Sequence, residues 1–142
     1  EQRDLPPLVV AGADGWGNIS VAASDKVKFL GHVEERYLSG LYAAASVMAY
    51  PSLWEGFGLP VLEAMAQGTP VVTSESISTE EVAGGAAVLV DPRSAESIRN
   101  GIRTAFGDRE KLSQRGIERV TQATWQKTAR LTAEVYDEVI AG

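Results

Sequence analysis

Two carboxylates and a glycine turn are the chemical centre of this sequence. Glu55 and Glu63 stand in residues 51–68, PSLWEGFGLPVLEAMAQG. Pro60 suits the first turn of a helix, where its missing N–H is no loss. The amides around Phe57, Gly58 and Leu59 are then free donors at a helix N-terminus, able to meet phosphate or sugar oxygens or simply water. Gly56 and Gly58 would let a ligand approach the backbone closely. Glu63 is the only charge between Leu59 and Ala66, on a segment apolar enough to be buried, and a lone buried carboxylate needs a partner. A carboxylate suits a pair of adjacent hydroxyls, as in the ribose contact of nucleotide-binding sheets. The simpler alternatives are a solvated loop charge for Glu55 and a favourable helix-dipole contact for Glu63.

Other residues offer less. His32 follows a strand end and reads as structural or solvated more readily than as a ligand. Trp54 suits either stacking on a ring or walling the turn. Glu75, Glu80 and Glu81 read as surface charges, and Ser74 and Thr79 as loop residues with no basic partner to make a nucleophile. There are no cysteines and one histidine, so no thiolate site and no metal site is expected. No Lys or Arg lies between Arg36 and Arg93. A diphosphate bound within that span would have only helix amides for compensation.

The elements that must position these residues alternate. Apolar strands are expected at 8–11, 27–30, 47–50, 70–73 and 86–90. Helices are expected at 34–45, from Pro60 to Gly68, from a Ser94 cap, over 109–121, and from Thr124 onward. A single helical turn is expected at 79–83. Gly12, Gly15 and Gly17 around Trp16 lack the dinucleotide spacing and read as an ordinary turn, with 18–25 a turn or a stub of helix. Nearly continuous apolar strands between helices predict an α/β, Rossmann-like parallel sheet of about five strands, with helices on both faces and a helical C-terminus. Ligands of such sheets bind at the carboxyl ends of the strands, where residues 31–33 and 55–59 fall.

Length, with 142 residues and 44% hydrophobic, allows one domain with a real core, residues 1–142. A net charge of −6 argues against nucleic acid and anionic membrane as partners. The expected setting is soluble and cytoplasmic. A charged prefix and Pro6-Pro7 leading straight into a strand read as a chain cut inside a larger protein.

Residues 50–66, YPSLWEGFGLPVLEAMA, closely resemble the signature of the retaining glycosyltransferases of family 4 (glycosyl transferases group 1). VKFLGHV at 27–33, GTPVVTS at 68–74, EVAG at 81–84 and AVLVDP at 87–92 fall in that family's order, and the resemblance extends to Trp125 and the final helix.

The resemblance implies the C-terminal, donor-binding domain of a GT-B enzyme, whose two Rossmann-like domains face a cleft. By carry-over, Glu55 contacts the donor sugar near its anomeric centre as a catalytic, positioning and electrostatic residue. Gly56, Phe57, Gly58 and Leu59 hold the sugar and diphosphate, Glu63 the ribose diol, and the backbone of His32 and Val33 borders the base. The donor would be a UDP-, GDP- or ADP-linked hexose, a substrate and not a cofactor, transferred with retention and without a metal. The acceptor, a glycan, lipid or small metabolite, would be read by an N-terminal domain outside this chain. The helix at 125–142 would pack toward that domain, which would also make any contact with the inner face of a membrane. Two departures stand out. The family's opening strand and helix, bearing an Arg and a Lys on the diphosphate, have no counterpart here, and residues 17–25 are shorter than the usual helix. Such a half alone is expected to be inactive. The alternatives are a non-catalytic nucleotide-sugar-binding or regulatory module, against which both intact glutamates count, and a dehydrogenase-type domain, disfavoured by the missing glycine fingerprint.

Overall fold

The structure, a computed structural model, describes residues 6–12 and 24–142. The glycine cluster after Gly12 and the stretch 18–23 fall outside the described residues. Two compact units divide between Leu41 and Tyr42.

In the first unit, β1 (Leu8–Ala11) and β2 (Val27–Gly31) pair in parallel, with Leu8 opposite Val27 and an irregularity between Val10 and Ala11. The Gly12 amide donates to the Gly31 carbonyl and extends the pairing. All four β1 residues are exposed. Helix α1 (Glu35–Ala44) begins in this unit and crosses the division.

In the second unit, β3 (Met48–Tyr50), β4 (Val71–Ser74) and β5 (Val88–Val90) form a parallel sheet in the order β3-β4-β5. The expected α/β class with parallel strands is observed; among the described residues hydrogen bonding joins the strands as a pair and a triple, and not as the expected single sheet of five. Central β4 is buried along its whole length because both its faces are covered. Val71 packs in one apolar cluster with Val61, Met65, Val82 and Ala83. Its neighbour Val72 packs in another with Val90, Ala105 and Leu112. Successive strand residues point to opposite faces, so two adjacent valines serve two cores. Burying a side chain such as Val61 or Met65 fully is worth about 1.5–3 kcal/mol.

The first of these cores is built by α2 (Leu59–Ala66) and α3 (Ile77–Ala83), the second by α4 (Ala95–Gly107) and α5 (Arg109–Gln122). Helix starts and stops follow the sequence. Ser94 Oγ accepts from the Ser97 amide at 3.1 Å, and Thr124 Oγ1 from the Lys127 amide at 3.2 Å. At the end of α2, Gly68 takes φ 71°. Its amide donates to Met65 O, and the Thr69 amide to Ala64 O, which closes the last turn as a Schellman motif. Helix α4 comes close to the sheet through Gly101, where a methyl group would lie 2.3 Å from Val90 Cγ1.

Two expectations need correcting. Residues 79–83 are not a lone turn: α3 begins at Ile77, which makes Thr79 a helical residue, and Ser74 is the last residue of β4. Both are fully buried, so neither is a loop residue. The final helix, α6 (Trp125–Ala141), presents an apolar stripe and buries none of its residues. Trp125 is 74% exposed and Ile140 83%.

Candidate functional site

The site is made where β3 stops. Pro51 lacks the N–H that would continue a ladder, so the chain leaves the sheet after Tyr50 and loops through 51–58 into α2. This loop is tied down by hydroxyl groups that reach its carbonyls. Thr73 Oγ1 donates to Tyr50 O at 3.0 Å, and Ser74 Oγ donates to Ser52 O. Ser78 Oγ donates to Glu55 O at 2.8 Å, and inside the loop Ser52 Oγ donates to Trp54 O at 2.8 Å. Thr79 Oγ1 donates in turn to Ser74 O at 2.7 Å. These bonds satisfy backbone acceptors of the loop and fix the main chain beneath Glu55.

The turn into α2 requires glycine at Gly58, which has φ 95° and ψ 43°. The Val61 amide donates back to Gly58 O and starts the helix. Among the described residues, no acceptor meets the amides of Gly56, Phe57, Gly58 or Leu59. Gly56, Phe57 and Leu59 are exposed, whereas Gly58 is buried.

Each carboxylate has a tyrosine partner. Tyr50 Oη donates to Glu55 Oε2 at 2.5 Å, and Glu55 is half-buried. Tyr42 Oη donates to Glu63 Oε2 at 3.2 Å. Burial, followed by the bond to Glu55 and its charge, pushes the Tyr50 phenol up to about 12, with a smaller push from Tyr42. Burial and then Glu63 raise the Tyr42 phenol as well. Both phenols therefore remain donors at neutral pH.

Glu63 departs from expectation. It is exposed, because α2 turns Val61, Ala64 and Met65 inward and leaves position 63 outside. Its partner is a tyrosine hydroxyl at the surface and not a contact forced by burial. Trp54 walls nothing, being 88% exposed. Glu75, Glu80 and Glu81 are surface charges, as expected. His32, exposed, and Val33, half-buried, follow β2 in the first unit. The second unit brings together Glu55, the turn 56–59 and Glu63.

Sequence reasoning missed Tyr42, Tyr50 and Ser78 as partners of these groups. The adjacent Tyr50 and Pro51 are a usable signal, since a tyrosine closing an apolar strand just before a loop carboxylate has a donor to place. Arg119 is engaged elsewhere, its Nε and Nη2 donating to Val82 O and Glu81 O at the end of α3. Two shallow depressions, of about 350 Å³ beside Gly84 and Arg115 and about 760 Å³ around Phe106 and Arg109, include no residue of 50–63. Chemically, the arrangement offers two carboxylates, each with one oxygen already held, and a run of unpaired amides between them. It can accept hydroxyl protons and donate to anionic oxygens.

Residues 19–122 match the family described as glycosyl transferases group 1. The O-antigen chain mannosyltransferase B of Escherichia coli is 36% identical across 96% of this chain, which spans 38% of that protein's length. Among solved structures, sucrose-phosphate synthase from Thermosynechococcus elongatus is 34% identical with a TM-score of 0.70, covering 83% of this chain and 31% of that one. The C-terminal domain of a glycosyl transferase group 1 family protein from Francisella tularensis is 28% identical with a TM-score of 0.62, over 70% of this chain and 54% of that one. With its doubly covered parallel sheet and its carboxylate–turn–carboxylate segment intact, this chain belongs to the glycosyl transferases group 1 family, as a C-terminal domain.

Proposed function

We propose that this chain is the donor-binding half of a retaining glycosyltransferase, which moves a hexose from a nucleotide-diphosphate sugar to a glycan, lipid or small metabolite. The observation that carries the reading is the pairing of two tyrosine-held carboxylates, Glu55 and Glu63, on either side of a turn with unpaired amides. Glu55 accepts from the donor sugar's hydroxyls and stabilises charge near the anomeric carbon. The amides of 56–59 take the sugar and phosphate oxygens, helped by the positive end of the α2 dipole. Glu63, exposed at the surface of α2, accepts from both ribose hydroxyls. The backbone of His32 and Val33 borders the base. No Lys or Arg lies from Tyr37 to Pro92, so the remaining positive charge for the diphosphate comes from outside that span.

Transfer proceeds by front-face attack, with the leaving phosphate taking the acceptor's proton and no metal taking part. The exposed apolar stripe of α6 packs on the N-terminal domain that reads the acceptor, and both domains are needed for turnover. The test is Glu55→Gln in the complete protein. Release of nucleoside diphosphate from UDP-, GDP- and ADP-sugars should fall at least tenfold while nucleoside diphosphate affinity stays within about twofold, the pattern of a lost transition-state interaction. Unchanged turnover would remove Glu55 from the mechanism.

A further inference from the structure

We infer that Tyr50 is a positioning residue for sugar transfer: its hydroxyl fixes the Glu55 carboxylate through Oε2 and leaves Oε1 presented to the donor sugar. The inference rests on the reading of Glu55 as the donor-sugar carboxylate. A glutamate on a loop has three side-chain torsions, and freezing them at every turnover costs entropy. Here that ordering is built in. The main chain of Glu55 is held by Ser78 Oγ, and the side chain by Tyr50 Oη at 2.5 Å. Among the described residues, no donor meets Oε1.

Tyr50 is well placed to act as a fixed point. It ends β3, packs against the core cluster beside Met48 and Leu62, and its carbonyl accepts from Thr73. Its phenol is pushed up to about 12 by burial and by Glu55, so it donates throughout the working range of pH. The Tyr42–Glu63 bond is longer, at 3.2 Å, and Glu63 already rides on a helix. The shorter bond restrains the carboxylate that stands on a loop, and a charge-assisted bond of this kind is among the stronger ones.

The test measures kcat and KM for nucleoside diphosphate release from UDP-, GDP- and ADP-sugars by the complete protein. It compares wild type, Tyr50→Phe, Glu55→Gln and the double variant. Tyr50→Phe should lower kcat about tenfold, the worth of one hydrogen bond to a charged group, with KM and nucleoside diphosphate affinity within about twofold. In the Glu55→Gln background it should add nothing, because Tyr50 acts through Glu55. A wild-type kcat in Tyr50→Phe, or the same tenfold loss in both backgrounds, overturns the inference while leaving the role of Glu55 standing. Unchanged turnover in Glu55→Gln overturns both. If Tyr50→Phe fails to fold, a fluorinated tyrosine at position 50 keeps the ring's shape and lowers its pKa. The alkaline limb of kcat should then move to lower pH, and an unmoved limb contradicts the proposal.

Discussion

Replacing Gly58 by alanine should cost stability through backbone strain alone. At φ 95° a residue with a Cβ is strained by about 1–2 kcal/mol. The new methyl group itself meets ordinary contacts, 3.5 Å from Thr79 Cγ2, 3.6 Å from Glu55 Cγ and 3.9 Å from Val61 Cγ2, so no clash adds to this. Gly56 supplies the control, since its φ is ordinary and its Cβ would meet open space. Both substitutions narrow the unfolded ensemble equally, and that stabilising effect of about 0.4–1 kcal/mol cancels between them. Urea unfolding followed by circular dichroism should therefore place Gly58→Ala about 1–2 kcal/mol below Gly56→Ala, with the same slope. Equal midpoints would show that the turn relaxes without strain. A gap above about 4 kcal/mol would mean that packing, and not the backbone, demands the glycine.

Gly101→Ala should cost about 1–3 kcal/mol in the same assay, because its methyl group would lie 2.3 Å from Val90 Cγ1 in a core that cannot yield freely; a neutral result would mean α4 can slide from β5. The Tyr50 phenol, raised from 10 to about 12, contributes stability that is complete below pH 10 and lost as pH climbs through 12. Tyr50→Phe should flatten the stability curve in that window, and a slope identical to wild type would refute the assignment. Ser78→Ala leaves the Glu55 carbonyl without its hydroxyl donor and should lower stability by about 1 kcal/mol, with a matching loss of turnover. Retention of both would show that the loop holds without that tie.

Much of this arrangement was legible. The run at 70–73 reads as a strand covered on both faces, and Ser94, Thr124 and Gly68 begin or end helices by local chemistry that acts wherever they occur. Mean apolarity points to a buried Glu63, but the helical period places it outside. Stepping 100° per residue from Val61, Ala64 and Met65 share the inward face and position 63 does not. Ser74 and Thr79 read as loop residues because a hydroxyl residue is a loop signal, whereas each donates to a main-chain carbonyl that sequence cannot locate. Tyr42 is hidden for the same reason. Tyr42 meets Glu63 across 21 positions of chain, through a contact that only the folded sheet brings about.

Calorimetry on the complete protein asks whether Glu63 and the α2 turn hold a ribose-bearing diphosphate. Wild type and Glu63→Gln would be titrated with UDP, GDP and ADP, and with inorganic pyrophosphate as the ligand lacking ribose. The ribose assignment requires about tenfold weaker binding of the preferred nucleoside diphosphate by the variant, with pyrophosphate affinity unchanged. Equal nucleoside diphosphate affinity in the two proteins would contradict it.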